Sequence, residues 1–339
     1  MNNPAGHGVE ASHEPPGACT VRWTVRQTYR VECRRDVATG QRLVRADNGR
    51  DILLLPKEFG MTARQANAAG SSPVRRVRQA HVEWLQGRLS KRDWEIIRTV
   101  GQLRLVTSSH LERLHFLDLS PSVRGRVRRR VLNRLVGWRV LLTLDRRIGG
   151  VRAGSAGLVL ALDSAGQQLV RESAATNGNT TTVRRPREPS VVLLAHTLAA
   201  SELYVSLVEL SRVGGFTVAD YLTEPACWWP LPLGGWLKPD AYVKLATPEF
   251  DDHWWVEIDK GTEHIPTIQR KFITYLDYAN GSGLGPDDVL PRVLVTVPDA
   301  KRRDQIRGVI ARLPEPAATL LHVVTEVRAA DFLYEVLRE

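Results

Sequence analysis

Two kinds of hydrophobic pattern divide the chain. From Ser90 onward apolar residues recur at helical spacing, and beyond residue 190 continuous apolar runs of strand length alternate with helical stretches. "SKRDWEIIRTVGQLR" opens on Ser90 as an N-cap and sets Trp94, Ile97 and Val100 or Gly101 on one face. "TSSHLERLHF" predicts a second, shorter helix, capped within Thr107–Ser109, with Leu111 and Leu114 on one side. "SPSVRGRVRRRVLNRLVG" predicts a third: Ser120 caps it, Pro121 occupies its first turn and Gly137 ends it. Its apolar stripe is Val123, Val127, Val131 or Leu132, and Leu135. "WRVLLTLDRR" then reads as a strand, and "GLVLALDSAGQQLV" as a strand and a short helix.

Three helices followed by a β-hairpin is the order of a winged helix-turn-helix domain, whose third helix enters the major groove. Residues 81–170 are expected to form it. Residues 171–189, polar and without periodicity, are expected to be a linker. Residues 190–339 read helix, strand, strand, strand, helix, strand, helix, strand, helix. The apolar runs "PRVLVTVP" and "TLLHVVT" are buried strands, so the expectation is an α/β domain with a mixed sheet flanked by helices. Residues 1–20 lack periodicity and are expected to be a disordered tail. Residues 21–56 alternate around "TG" and "NG" turns, which predicts a β-hairpin or meander, and residues 60–80 read as a linker.

Charge sharpens the division. The 339 residues carry a net charge of +10, but unevenly. Residues 71–150 hold 18 Arg/Lys against 6 Asp/Glu; residues 190–339 hold 14 against 21. The basic segment points to nucleic acid. Arg124, Arg126, Arg128, Arg129, Arg130 and Arg134 crowd the third helix and are the candidate DNA contacts. Double-stranded DNA is therefore the expected partner, with a second copy of the chain or replication and transfer proteins as further ones. No apolar run approaches the roughly 18–20 residues of a membrane span; the longest, around Val191–Leu194, is broken by His196. With no basic-then-apolar signal pattern, a cytoplasmic protein without a membrane partner is expected. Cys19, Cys33 and Cys227 lie too far apart for a disulfide framework or a zinc set.

The candidate chemistry lies in "WLKPDAYVKLATPEFDDHWWVEIDKGTEH". A turn centred near Pro248–Glu249 pairs residues whose numbers sum to about 497, so Asp240 falls opposite Glu257. Asp259 shares Glu257's face, because side chains alternate along a strand. Three converging carboxylates need a counter-charge or a proton. Mg2+ (or Mn2+), held by Asp240, Glu257 and Asp259, supplies one and suits phosphodiester cleavage. Lys271, about two turns into the next helix, is the basic candidate; Glu224, or Glu202 or Glu209, is a further acid. His196 either touches this site or is a half-buried structural histidine. Trp228, Trp229, Trp254 and Trp255 read as core and rim of the sheet, with stacking on bases as the alternative, and Tyr275 and Tyr278 as a packing stripe with Ile268 and Phe272. No His-x-His pair accompanies those tyrosines to suggest a tyrosine nucleophile.

Pro239-Asp240 followed by Glu257-Ile258-Asp259 resembles the PD-(D/E)xK nuclease core, an Asp on one strand and (D/E)xK on the next. Asp259 stands where that pattern has Lys, and Lys260 falls one residue late. In relatives the lysine can move to the following helix, where Lys271 lies. Over most of the chain "KPDAYVKL", "WVEIDKGTE" and "RKFITYLDY" resemble the replication-relaxation family of actinobacterial plasmids and integrative elements. That resemblance implies a restriction-endonuclease-like domain behind a winged helix. It also implies a role in replication or mobilisation, either as a metal-dependent nicking endonuclease or as a non-catalytic accessory factor or regulator.

Overall fold

The computed structural model describes residues 32–35, 42–45, 51–53, 77–147, 157–175, 190–232, 234–281 and 283–338. The expected tail 1–20, most of the expected linker 60–80 and residues 176–189 lie outside them. The chain divides into two units, Met1–Val74 and Arg75–Glu339. In the first, β1 (Glu32–Arg35), β2 (Arg42–Arg45) and β3 (Asp51–Leu53) pair antiparallel in sequence order, the meander its alternation predicts.

The second unit opens with α1 (Gln79–Gln86), a helix where the sequence pattern predicts the end of a linker and the edge of a domain. Its two buried residues, Val82 and Leu85, are too few to display a period. α2 (Lys91–Leu103) begins with a full capping box: Ser90 accepts from the Asp93 N–H, and Asp93 accepts from the Ser90 N–H. β4 (Val106–Thr107), α3 (Ser108–His115, capped by Thr107) and α4 (Pro121–Gly137) follow. β5 (Leu141–Arg147) and β6 (Leu158–Leu162) complete a three-stranded sheet with β6 in the centre. α5 (Ser164–Ala175) carries the helix into the first five residues of the expected linker.

α6 (Val191–Gly214) is 24 residues of apolar helix, ended by Gly215 in the left-handed region. By length and composition it suffices to cross a membrane, which the short run Val191–Leu194 did not suggest. It packs against α3, and against β7 and α10 of the sheet layer, with Leu198, Leu203 and Leu207 buried. β7 (Thr217–Thr223) leads into a small hairpin, β8 (Trp229–Pro230) and β9 (Trp236–Leu237). Then come β10 (Ala241–Ala246), β11 (Asp251–Ile258), α7 (Ile265–Asn280) and β12 (Arg292–Val297). α8 (Ala300–Ile310), α9 (Ala317–Leu320), β13 (Leu321–Thr325) and α10 (Ala329–Val336) close the fold.

The main sheet runs β13-β12-β11-β10-β7. It is mixed: β7, β10 and β11 are antiparallel, β11, β12 and β13 parallel. Alternation sorts the central strands between two cores. Val243, Trp254 and Val256 join α6 and α10 on one face, whereas Tyr242, Trp255 and Val295 join α7 and α8 on the other. The helical half is fastened to this sheet through α2. Gln102 Nε2 donates to the Tyr221 carbonyl (2.7 Å), and Thr223 Oγ1 donates to the Gln102 carbonyl (2.9 Å).

Candidate functional site

The β10–β11 ladder ends at Ala241 opposite Val256, the sum of 497 that the turn implies, and Asp240 stands just beyond it, close enough to Glu257 for its charge to act on that carboxyl. β7 pairs Thr223 with Ala241, and the Glu224 N–H donates to the Asp240 carbonyl (3.3 Å). Glu224, at the end of β7, Asp240, at the start of β10, and Glu257 of β11 thus form one row at the ends of three neighbouring strands, Asp240 acting on both glutamates. Asp240 and Glu257 are buried. Asp240 is held firmly: its N–H donates to the Val256 carbonyl (2.9 Å), and Oδ2 accepts from the Ile258 N–H (2.6 Å).

Basic side chains close the row. On α6, His196 Nε2 lies 3.2 Å from Asp240 Oδ1. Burial opposes protonation of this imidazole, but Asp240, with Glu224 and Glu257 behind it, raises its pKa. At the other end Lys271 Nζ lies 3.2 Å from Glu257 Oε2 and 3.1 Å from Glu263 Oε1. Burial again opposes the charge, and Glu257, Asp240 and Glu263 together raise the Lys271 pKa. Tyr275 Oη donates to Glu257 Oε1 (2.6 Å). Tyr275 therefore belongs to the packing stripe that its spacing predicts and also fixes a site carboxylate. It lies one helical turn from Lys271, the signal that could have revealed this. Arg104, which follows α2, was not singled out by sequence; its Nη1 approaches the Glu224 carbonyl at 3.4 Å.

Asp259 is not brought into the row. Its Oδ2 accepts from Arg302 Nε (2.5 Å) and its Oδ1 from the Gly261 N–H (2.8 Å). The positive φ of Gly261 turns that N–H back toward the carboxylate. Asp259 thus secures the β11–α7 loop to α8. Lys260, two residues beyond β11, turns away to Glu326 (2.7 Å). Glu202 and Glu209 clasp Arg113 of α3 rather than joining the site. Burial opposes ionisation of Glu202, but hydrogen bonds from His110 and Arg113 hold its pKa down at about 2.

His196, Glu224 and Asp240 each offer a ligand atom, all within 4.8 Å of one another. One imidazole and two carboxylates suit a divalent cation, and Mn2+ accepts such a mixed set. Both Glu257 oxygens already accept hydrogen bonds, from Tyr275 and Lys271.

Burial first, and the Asp240 charge second, push Glu257 up from 4.5 to about 7 against the pull of Lys271 and Tyr275. Between those values the folded protein binds more protons than the unfolded chain, so this group's stabilisation is present at low pH and lost as pH rises through about 7. In EDTA, urea unfolding is expected to show stability falling by up to about 3 kcal/mol from pH 5 to 8 through this residue alone. E257Q should flatten that slope, and an unaltered profile in E257Q would contradict the shift.

The six arginines of α4 divide. Arg128 is buried and donates to Glu112 Oε2 of α3; Arg134 Nη2 donates to both oxygens of Asp93 (2.6 and 2.7 Å). Arg124 donates to the Leu119 carbonyl (2.8 Å). Arg126, Arg129 and Arg130 are exposed. Arg128 shares the core side with Val127, Val131, Leu132 and Leu135 of the predicted stripe, while Val123 is 38% exposed.

The replication-relaxation family matches residues 97–293, more than half of the chain. The chain belongs to the replication-relaxation family. No curated protein and no solved structure matches it. The replication-relaxation match runs from within α2 to the start of β12, so it includes the α4 arginines, His196, the row of three acids and Lys271. Arg302, the partner of Asp259, lies beyond it.

Proposed function

We propose that this protein binds double-stranded DNA in plasmid or mobile-element replication or mobilisation. We further propose that it nicks that DNA with a metal-dependent site in a restriction-endonuclease-like core, within the cytoplasm. The observation that carries the reading is the row Glu224, Asp240 and Glu257, flanked by His196 and by the charged Lys271. Lys271 stands at the Glu257 carboxylate although it comes from a helix, where the PD-(D/E)xK pattern has a strand lysine. The order α2, α3, α4, β5, β6 supports a winged helix. Ser122, Arg126, Arg129, Arg130 and Asn133 form an exposed stripe along its third helix, suited to phosphates and base edges.

Glu224, Asp240 and His196 would hold Mg2+ or Mn2+; the Asp240, Glu257, Asp259 set of the sequence reading would not, because Arg302 holds Asp259. A cation bound there would supply a Lewis acid for a phosphate oxygen and lower the pKa of a water. Lys271, kept protonated by its acidic neighbours, faces negative charge developing on the phosphate. Glu257 aims Lys271 through Oε2, and Tyr275 fixes Glu257 through Oε1.

Supercoiled plasmid incubated with the protein and Mg2+ or Mn2+ is expected to become nicked circles. EDTA, Asp240→Ala or Glu257→Ala should each abolish the product. A second reading, a non-catalytic accessory factor or regulator, is favoured by Asp259 at the usual lysine position and by the fully engaged Glu257. DNA binding without nicking under any metal would support it.

A further inference from the structure

The β8–β9 hairpin joins two members of the acidic row, since the chain passes from Glu224 through it to Asp240. It presents an unusual surface. Trp236 is 50% exposed, although the hairpin around it is tied down on several sides. Trp229 Nε1 donates to Tyr278 Oη (2.8 Å) and to the Leu284 carbonyl (2.9 Å), and Cys227 Sγ donates to the Pro239 carbonyl (3.0 Å). Lys238 is exposed and sets its Nζ 4.6 Å above the Trp228 ring. An exposed indole with a lysine two residues on, beside these hydrogen-bonded anchors, departs from the usual burial of tryptophan.

We propose that this hairpin is a stacking platform for an unpaired nucleobase of DNA, with Trp236 as the π face and Lys238 as the phosphate contact. Asp240 follows Trp236 by four positions, a reach of at most about 14 Å. A base stacked on Trp236 therefore lies within a few nucleotides of the carboxylate row. The inference rests on the nuclease reading in placing the base beside that row. It adds that the strand engaged there is single, as at a melted origin or a displaced strand. Duplex is held elsewhere, on the α4 stripe. Aromatic stacking with a neighbouring cation is how single strands are gripped without sequence preference.

The test is fluorescence anisotropy of a labelled single-stranded oligonucleotide and of its duplex, in EDTA, so that cleavage plays no part. Trp236→Ala is expected to weaken single-strand binding by about tenfold or more while leaving duplex affinity unchanged. Trp236→Phe should retain most of the affinity. Lys238→Ala should flatten the single-strand salt dependence by about one unit of slope. If Trp236→Ala lowers the melting temperature, Trp236→Leu replaces it, keeping an apolar contact without the π face. Unchanged single-strand affinity in these Trp236 variants, or equal losses for single strand and duplex, would overturn the platform. A protein that never nicks but shows the Trp236 effect would lose the nuclease reading and keep this one.

Discussion

Lys271→Ala is expected to lower the rate of metal-dependent nicking by about 10²–10³-fold, the loss typical when a group aimed at developing charge is removed. Lys271→Arg, which keeps a cation there, should retain part of the rate. The geometry leaves few other sources of positive charge at the Glu257 end. Lys260 is bound to Glu326, and Arg302 to Asp259 and the Glu263 carbonyl. Loss of Lys271 also removes the charge that opposes the upward push on Glu257, so that carboxyl should titrate higher still. At pH 6 the fold should tolerate the change, because Glu257 takes up a proton instead of remaining a bare buried anion. Nicking rates and urea stability measured on the same preparations separate the two effects. A nicking rate unchanged in Lys271→Ala would remove Lys271 from the chemistry.

The parts of this site written in local pattern were legible from sequence. The turn near Pro248–Glu249 is tight, so counting outward from it gives the β10–β11 register and sets Asp240 against Glu257. Ser90 and Asp93 are three residues apart, so the capping box is visible in one line of sequence. What depended on distant partners was not legible. Asp259 has the face and spacing of a metal ligand, and only the packing of α8, 43 residues on, supplies the Arg302 guanidinium that claims it. Glu224 was one of three candidate acids. The β7–β10 register selects it, and Arg113, from a separate helix, takes the other two. The same holds for α4, where the sequence displays six arginines alike and the acids that divide them come from α2 and α3.

Arg134→Ala is accordingly expected to destabilise the protein by about 2–3 kcal/mol rather than to act mainly on DNA. Asp93 is fully buried, and among the described residues Arg134 is the cation that neutralises it, the other donors being the N–H and hydroxyl of Ser90. Removing one partner of a buried ion pair leaves the other charge desolvated, at a cost of several kcal/mol. Here the arginine side chain is 40% exposed, so water can enter and the effect falls toward the lower end. Arg134 also covers the Trp138 ring at 5.0 Å, and that contact goes with it. Arg126→Ala and Arg130→Ala should behave in the opposite way. Both side chains are exposed, so stability should change by no more than about 0.5 kcal/mol. Duplex affinity should drop, and the slope of log K against log salt should lose about one unit per phosphate contact removed. Urea unfolding and salt-dependent anisotropy on the three variants distinguish these outcomes. Wild-type stability in Arg134→Ala would mean that Asp93 finds other compensation. An unchanged salt slope in Arg126→Ala and Arg130→Ala would move the DNA-contact surface off α4.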